Sequence, residues 1–157
     1  MTAKTLKFTN ARLNAIQALY ALQVNQLPVE KVIFDFLNGA VGDTLIDEGP
    51  EGKENIIPLP DMDKELFSKI VQEAHSRLPE LDNVILAALK EGWKNDRIEL
   101  LLQSILRAGL AEFFVNPDLD APIIINEYVD ITKSFYDEAE PALVNAVLHK
   151  FSQLVKG

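Results

Sequence analysis

The sequence predicts an all-α protein. Apolar residues recur at helical spacing through nearly every stretch free of glycine and proline, and no stretch alternates apolar and polar residues with a period of two. No internal repeat appears. At 157 residues, 48% hydrophobic and 25% charged, the chain is expected to form one compact domain over 1–157 that buries a core without staples.

Residues 9–24 read as the first helix, capped by Thr9 or Asn10 and free of glycine and proline. A shorter helix is predicted over 29–38, opened by Pro28 and closed by Gly39. Residues 39–60 collect Gly39, Gly42, Gly49, Gly52, Pro50, Pro58 and Pro60 among acidic side chains, the composition of an exposed acidic loop. Asp61 or Asp63 caps the next helix, whose Leu66, Phe67, Ile70, Val71, Ala74 and Leu78 keep the helical period. Pro79 is expected to stop it, and Leu81, Val84, Ile85, Ala88 and Leu89 carry another helix to Gly92.

Residues 97–115 form the most apolar segment and are predicted to lie centrally, contacted on several sides. Gly109 in its interior costs about 1 kcal/mol against alanine, which predicts a close approach by a neighbouring helix. Asp120 and Pro122 open a helix that continues through Ile125, Tyr128, Val129, Thr132 and Phe135. Asp137 to Glu140, ahead of Pro141, supply an acidic start for the last helix, with Leu143, Val144, Val147, Leu148, Phe151, Leu154 and Val155 as its buried stripe.

Net charge is −9, which argues against a protein that coats nucleic acid by bulk electrostatics. The charge is uneven. Residues 1–31 hold four basic side chains against Glu30, and the remainder holds eleven basic against twenty-three acidic. A mildly basic end on an acidic body suits phosphate binding at one place and a basic partner at another. The amino terminus lacks the apolar segment of a secretory signal, and no run approaches the roughly 20 residues that span a bilayer, so a cytoplasmic protein with no membrane partner is expected. Cysteine is absent. His75 and His149 are expected to be solvated, and no nucleophile, phosphate-loop, metal or cofactor motif is present, so the chain reads as a binding protein and not an enzyme.

Three stretches resemble the NusB family. Ala11-Arg12-Leu13-Asn14-Ala15-Ile16-Gln17-Ala18-Leu19-Tyr20 is similar to its first-helix pattern, A-R followed by A-x-Q-A-L-Y. Ile105-Leu106-Arg107-Ala108-Gly109-Leu110-Ala111-Glu112-Phe113 resembles I-L-R-x-A/G-x-x-E-L. The runs 125–135 and 143–150 resemble I-N-E-x-V-x-x-x-K-x-F and F-V-N-G-V-L-D-K, with Leu143-Val144-Asn145-Ala146 in place of F-V-N-G. The resemblance implies seven helices in two small bundles. It implies a transcription antitermination factor that binds the boxA element of ribosomal RNA leaders together with the ribosomal protein NusE, helping RNA polymerase read through terminators.

On that resemblance, Lys4, Lys7, Arg12, Gln17, Tyr20, Lys133, Asn145 and Lys150 are the expected RNA contacts. Arg12, Ile16 and Tyr20 fall along one strip of the first helix, and an arginine, a tyrosine ring and the Gln17 amide suit the phosphate, base face and base edge of single-stranded RNA. Leu102 and Arg107 are the expected partner contacts, Arg107 having an intrachain Asp or Glu as its alternative partner. Asn126 and Glu127 are read as helix-end hydrogen bonders. Leu102 stands where many relatives place a polar or acidic residue, and its apolar surroundings equally suit a homodimer. The family's arginine-rich arm is reduced here to Lys4, Lys7 and Arg12. That reduction motivates the alternative reading, a helical protein-interaction module with weakened or lost RNA binding.

Overall fold

The computed structural model describes residues 2–38, 44–48, 54–58, 61–93 and 98–156. Seven helices follow one another among them: α1 (Ala3–Asn25), α2 (Val29–Leu37), α3 (Lys64–Ser76), α4 (Leu78–Lys90), α5 (Leu100–Val115), α6 (Ala121–Lys133) and α7 (Ala139–Lys156). The all-α prediction holds. Helix α5 sits at the centre, packed against α1, α3, α4, α6 and α7. The helices α1, α2 and α3 pack together on one part of it, with Phe36 stacked on Phe67 at 5.5 Å. Helices α6 and α7 pair on another, where Phe151 meets Phe113 and Phe114.

The central position follows from the sequence of α5, in which every residue from Ser104 to Phe113 is buried. A Cβ on Gly109 would stand 3.0 Å from Leu148 Cδ2 and 3.3 Å from Tyr128 Cγ, so the predicted close approach is made by α7 and α6 together.

Five expectations are corrected. Helix α1 begins at Ala3, with the Thr2 hydroxyl accepting the Thr5 N–H at 3.1 Å. Nothing in residues 3–8 breaks a helix, so it runs back beyond Thr9 to the first available cap. Pro79 does not stop a helix: the break falls at Arg77, and Pro79 occupies the first turn of α4, where its missing N–H is harmless. Phe135, expected to continue α6, lies past its end at Lys133 and is 50% exposed. Leu154 and Val155, expected on the buried stripe of the last helix, are exposed near the end of α7, where no neighbouring helix among the described residues covers them. Within 39–60, β1 (Thr44–Glu48) and β2 (Glu54–Pro58) pair antiparallel, from Thr44 opposite Pro58 to Glu48 opposite Glu54. β-Branched Thr44, Ile46, Ile56 and Ile57 favour the extended backbone, and Pro58 ends the ladder, where a lost donor matters least. The other residues of the expected loop lie outside those described.

Candidate nucleic-acid interface

Arg12 faces inward. Its Nε and Nη2 donate to the two carboxylate oxygens of Glu112 on α5 at 2.8 and 2.7 Å, and its Nη1 lies 3.2 Å from Glu127 on α6. Glu112, fully buried, also accepts the Tyr128 hydroxyl at 2.8 Å and the Asn116 amide at 3.0 Å. Four donors saturate its two oxygens, the condition under which a carboxylate is tolerated in a core. Burial opposes the charge of Arg12, but the bond and charge of Glu112 outweigh it and hold the guanidinium above its ordinary pKa. Burial, then the charge of Glu112, pushes the Tyr128 hydroxyl well up. Arg12 is therefore a clamp between α1, α5 and α6, and its guanidinium is not free to meet a phosphate. The strip of Arg12, Ile16 and Tyr20 splits accordingly: the first two are buried, and Tyr20 is 41% exposed.

Arg107 takes its intrachain alternative. It donates through Nε and Nη2 to both oxygens of Asp82 on α4, each at 2.9 Å. Leu102 is buried, so neither residue of the expected partner pair offers a docking surface. Both corrections have one cause: α5 is covered on nearly every side. Glu127 is corrected too. It serves no helix end, but accepts from the Thr9 hydroxyl at 3.3 and 3.4 Å and pairs with Arg12.

The remaining expected residues are exposed but dispersed. Arg12 meets Glu112 and Gln23 bonds Gln103, so α1 runs antiparallel to α5. Lys4 and Lys7 thus lie at the end where α5 finishes. Tyr20 lies roughly 24 Å further along α1, at the end where α5 begins. Lys133 and Asn145 belong to that second end, because the Tyr136 hydroxyl just beyond α6 donates to Glu99 just before α5. They line one shallow cavity of about 530 Å³ with Val129 and Tyr136. Burial, then the bond to Glu99, raises the Tyr136 hydroxyl above its ordinary pKa, so it stays a donor there. Gln17 is exposed midway along α1, and Lys150 pairs with Glu91, the cap just past α4, on another side. Among the described residues, Lys4, Lys7 and Lys133 form no ion pair.

Two residues of this arrangement drew no role from the sequence. Glu112 received no role, although a lone carboxylate in the most apolar helix signals a buried cation. Phe135, expected only to continue the helix, has an exposed ring two residues after Lys133 and next in sequence to Tyr136. Its place just past a helix end was the available signal.

The model of the NusB family matches residues 9–153. This chain belongs to the NusB family. A transcription antitermination protein NusB of Rhodospirillum rubrum is 39% identical, over 97% of this chain and 86% of that protein. One from Hyphomonas neptunium is 36% identical, over 91% of this chain and 87% of that protein. A chain in the crystal structure of antitermination factors NusB and NusE in complex with double-stranded RNA superposes with a TM-score of 0.67 at 20% identity, covering 93% of this chain and 96% of that one. That likeness shows the shared fold. The NusB family is one of non-enzymatic transcription antitermination factors. No helix among the described residues is long and apolar enough to cross a membrane.

Proposed function

We propose that this chain, acting as one helical domain over residues 1–157, is a cytoplasmic transcription antitermination factor. It binds boxA-type single-stranded RNA of ribosomal RNA leaders together with NusE, within the complex that carries RNA polymerase past terminators. The observation that carries the reading is the family match over 9–153 with 39% identity to an antitermination protein. Lys4 and Lys7 supply phosphate contacts at one end of α1, while Tyr20, Phe135, Lys133 and Asn145 offer rings, a cation and an amide at the other. NusE meets the acidic body where Val24 and Leu100 leave apolar surface exposed. A salt titration of binding to boxA-type RNA, with and without NusE, tests the reading. Tight, salt-sensitive binding that needs NusE supports it, and no binding in either mixture refutes it.

A second reading, the interaction module with lost RNA binding, is favoured by one observation: with Arg12 buried, the basic arm retains only Lys4 and Lys7. Under the first reading Lys4→Ala and Lys7→Ala each lower the salt slope by about 1. Under the second, NusE still binds and neither substitution alters RNA retention.

A further inference from the structure

Between the first turns of α1 and α3 and the connection from α5 to α6 lies a cavity of about 480 Å³. Phe8, Leu66 and Ile123 form its apolar walls, and Arg12 and Glu127 reach it from the buried clamp. We propose that this cavity receives a single guanine of the bound RNA, with its Watson–Crick N–H edge held by the Glu127 carboxylate. The inference rests on the RNA-binding reading above and adds a base preference to it.

The argument begins with charge. One guanidinium serves two carboxylates. Glu112 holds it at 2.7 and 2.8 Å, whereas Glu127 stands at 3.2 Å and takes only the long bonds from Thr9 besides. The surplus negative charge therefore belongs to Glu127, whose side chain is 20% exposed and lines the cavity. A carboxylate offers about four acceptor sites and no donor. Its complement is a pair of adjacent N–H groups.

Among the bases only guanine presents such a pair, its N1–H beside its N2 amine. Adenine sets the N1 acceptor against the carboxylate, cytosine sets N3 beside its single amine, and uracil flanks one N–H with two carbonyls. The lining includes the aromatic Phe8 and the aliphatic Ile123, the kinds of side chain on which splayed bases stack. The volume falls in the roughly 300–1,000 Å³ range of ligand pockets. A basic side chain of a protein is the other occupant that a carboxylate attracts. The other lining carboxylates are already engaged, Asp63 by the Leu66 N–H at 2.8 Å and Glu65 by the lining Lys69 at 2.9 Å, while Lys4 and Lys7 adjoin the lining residues Thr5 and Phe8, which opposes a further cation and favours a phosphate.

The test titrates the full chain with GMP, IMP, AMP, CMP and UMP, following the amide NMR signals of Thr5, Phe8 and Glu127. GMP is expected to move them, and IMP, which lacks the N2 amine, to bind roughly tenfold more weakly. AMP, CMP and UMP are expected to leave them in place. Glu127→Gln is expected to abolish the preference. Ile123→Trp blocks the cavity from its exposed wall without touching the clamp, and is expected to abolish binding with the thermal midpoint unchanged. Equal responses to all five nucleotides, no response to GMP, or a preference that survives both variants overturns the proposal. A parallel series replaces each guanine of the boxA-type RNA by inosine in the presence of NusE. RNA bound with no inosine-sensitive position overturns the pocket and leaves the RNA-binding reading standing. RNA unbound in every mixture fails that reading, and the nucleotide titration still decides the pocket.

Discussion

Replacing Arg12 by methionine separates a buried clamp from an RNA contact. The residue is 4% exposed, and loss of its side chain leaves Glu112, with no exposure at all, holding a carboxylate on two neutral donors, Tyr128 and Asn116. Removing one partner of a buried pair costs about 3–5 kcal/mol, since the remaining charge stays desolvated. For a chain of this size each kcal/mol shifts the midpoint by about 2–4 °C, so Arg12→Met is expected to lower it by roughly 6–20 °C. Urea unfolding followed by circular dichroism measures the free energy directly. An exposed phosphate contact would behave otherwise, with stability changed by less than about 0.5 kcal/mol and the RNA salt slope reduced by about 1. Adding Glu112→Gln to Arg12→Met removes the stranded charge, so the double variant is expected to be less destabilised than the sum of the single ones by at least about 1 kcal/mol. A loss below about 1 kcal/mol for Arg12→Met, or strict additivity in the cycle, would refute the clamp.

Alkaline unfolding reports on Tyr128. Its folded pKa is raised, so its contribution is complete below about pH 10 and falls above it, as the unfolded chain loses a proton that the folded chain keeps. Stability is expected to drop by about 1.4 kcal/mol per pH unit from this group, and Tyr128→Phe to remove that slope in denaturant titrations between pH 10 and 12. Gly109→Val forces branched carbons into the 3.0 Å approach to Leu148 and is expected to cost about 1–3 kcal/mol, which a thermal melt would detect. Phe135→Ala is expected to weaken RNA binding by roughly 5- to 150-fold with little change in stability, because the ring is half exposed and stacking contributes about 1–3 kcal/mol per base. Equal RNA affinity for Phe135→Ala would remove that ring from the interface.

The helices were legible because their causes are local. Apolar spacing, caps and proline positions act within a few residues, and Asp63 caps α3 through the Leu66 N–H as its position indicated. Errors fell where local signals compete. The Gly-, Pro- and acid-rich segment hid the β-branched residues of β1 and β2. Pro79 carried two meanings, a stop for one helix and a start for the next, and only the geometry at Arg77 separates them. There Arg77 bonds Glu73 and Glu80 and lies 3.7 Å over the ring of Phe114, tying the junction to α5.

The sequence by itself determined the class of fold, the central place of α5, the contact at Gly109 and the family, because each is written in spacing or in residue order. Tertiary structure decided which polar side chains face out. Arg12 and Tyr20 stand eight residues apart on α1, yet one is buried by α5 and α6 and the other meets solvent. Helical period places a residue on a face, but what covers that face depends on helices a hundred positions away, and a buried charge persists only where such a helix brings its counter-ion. Glu112, 100 residues from Arg12, is that counter-ion, and it turns an apparent RNA contact into the clamp that holds α1 in place.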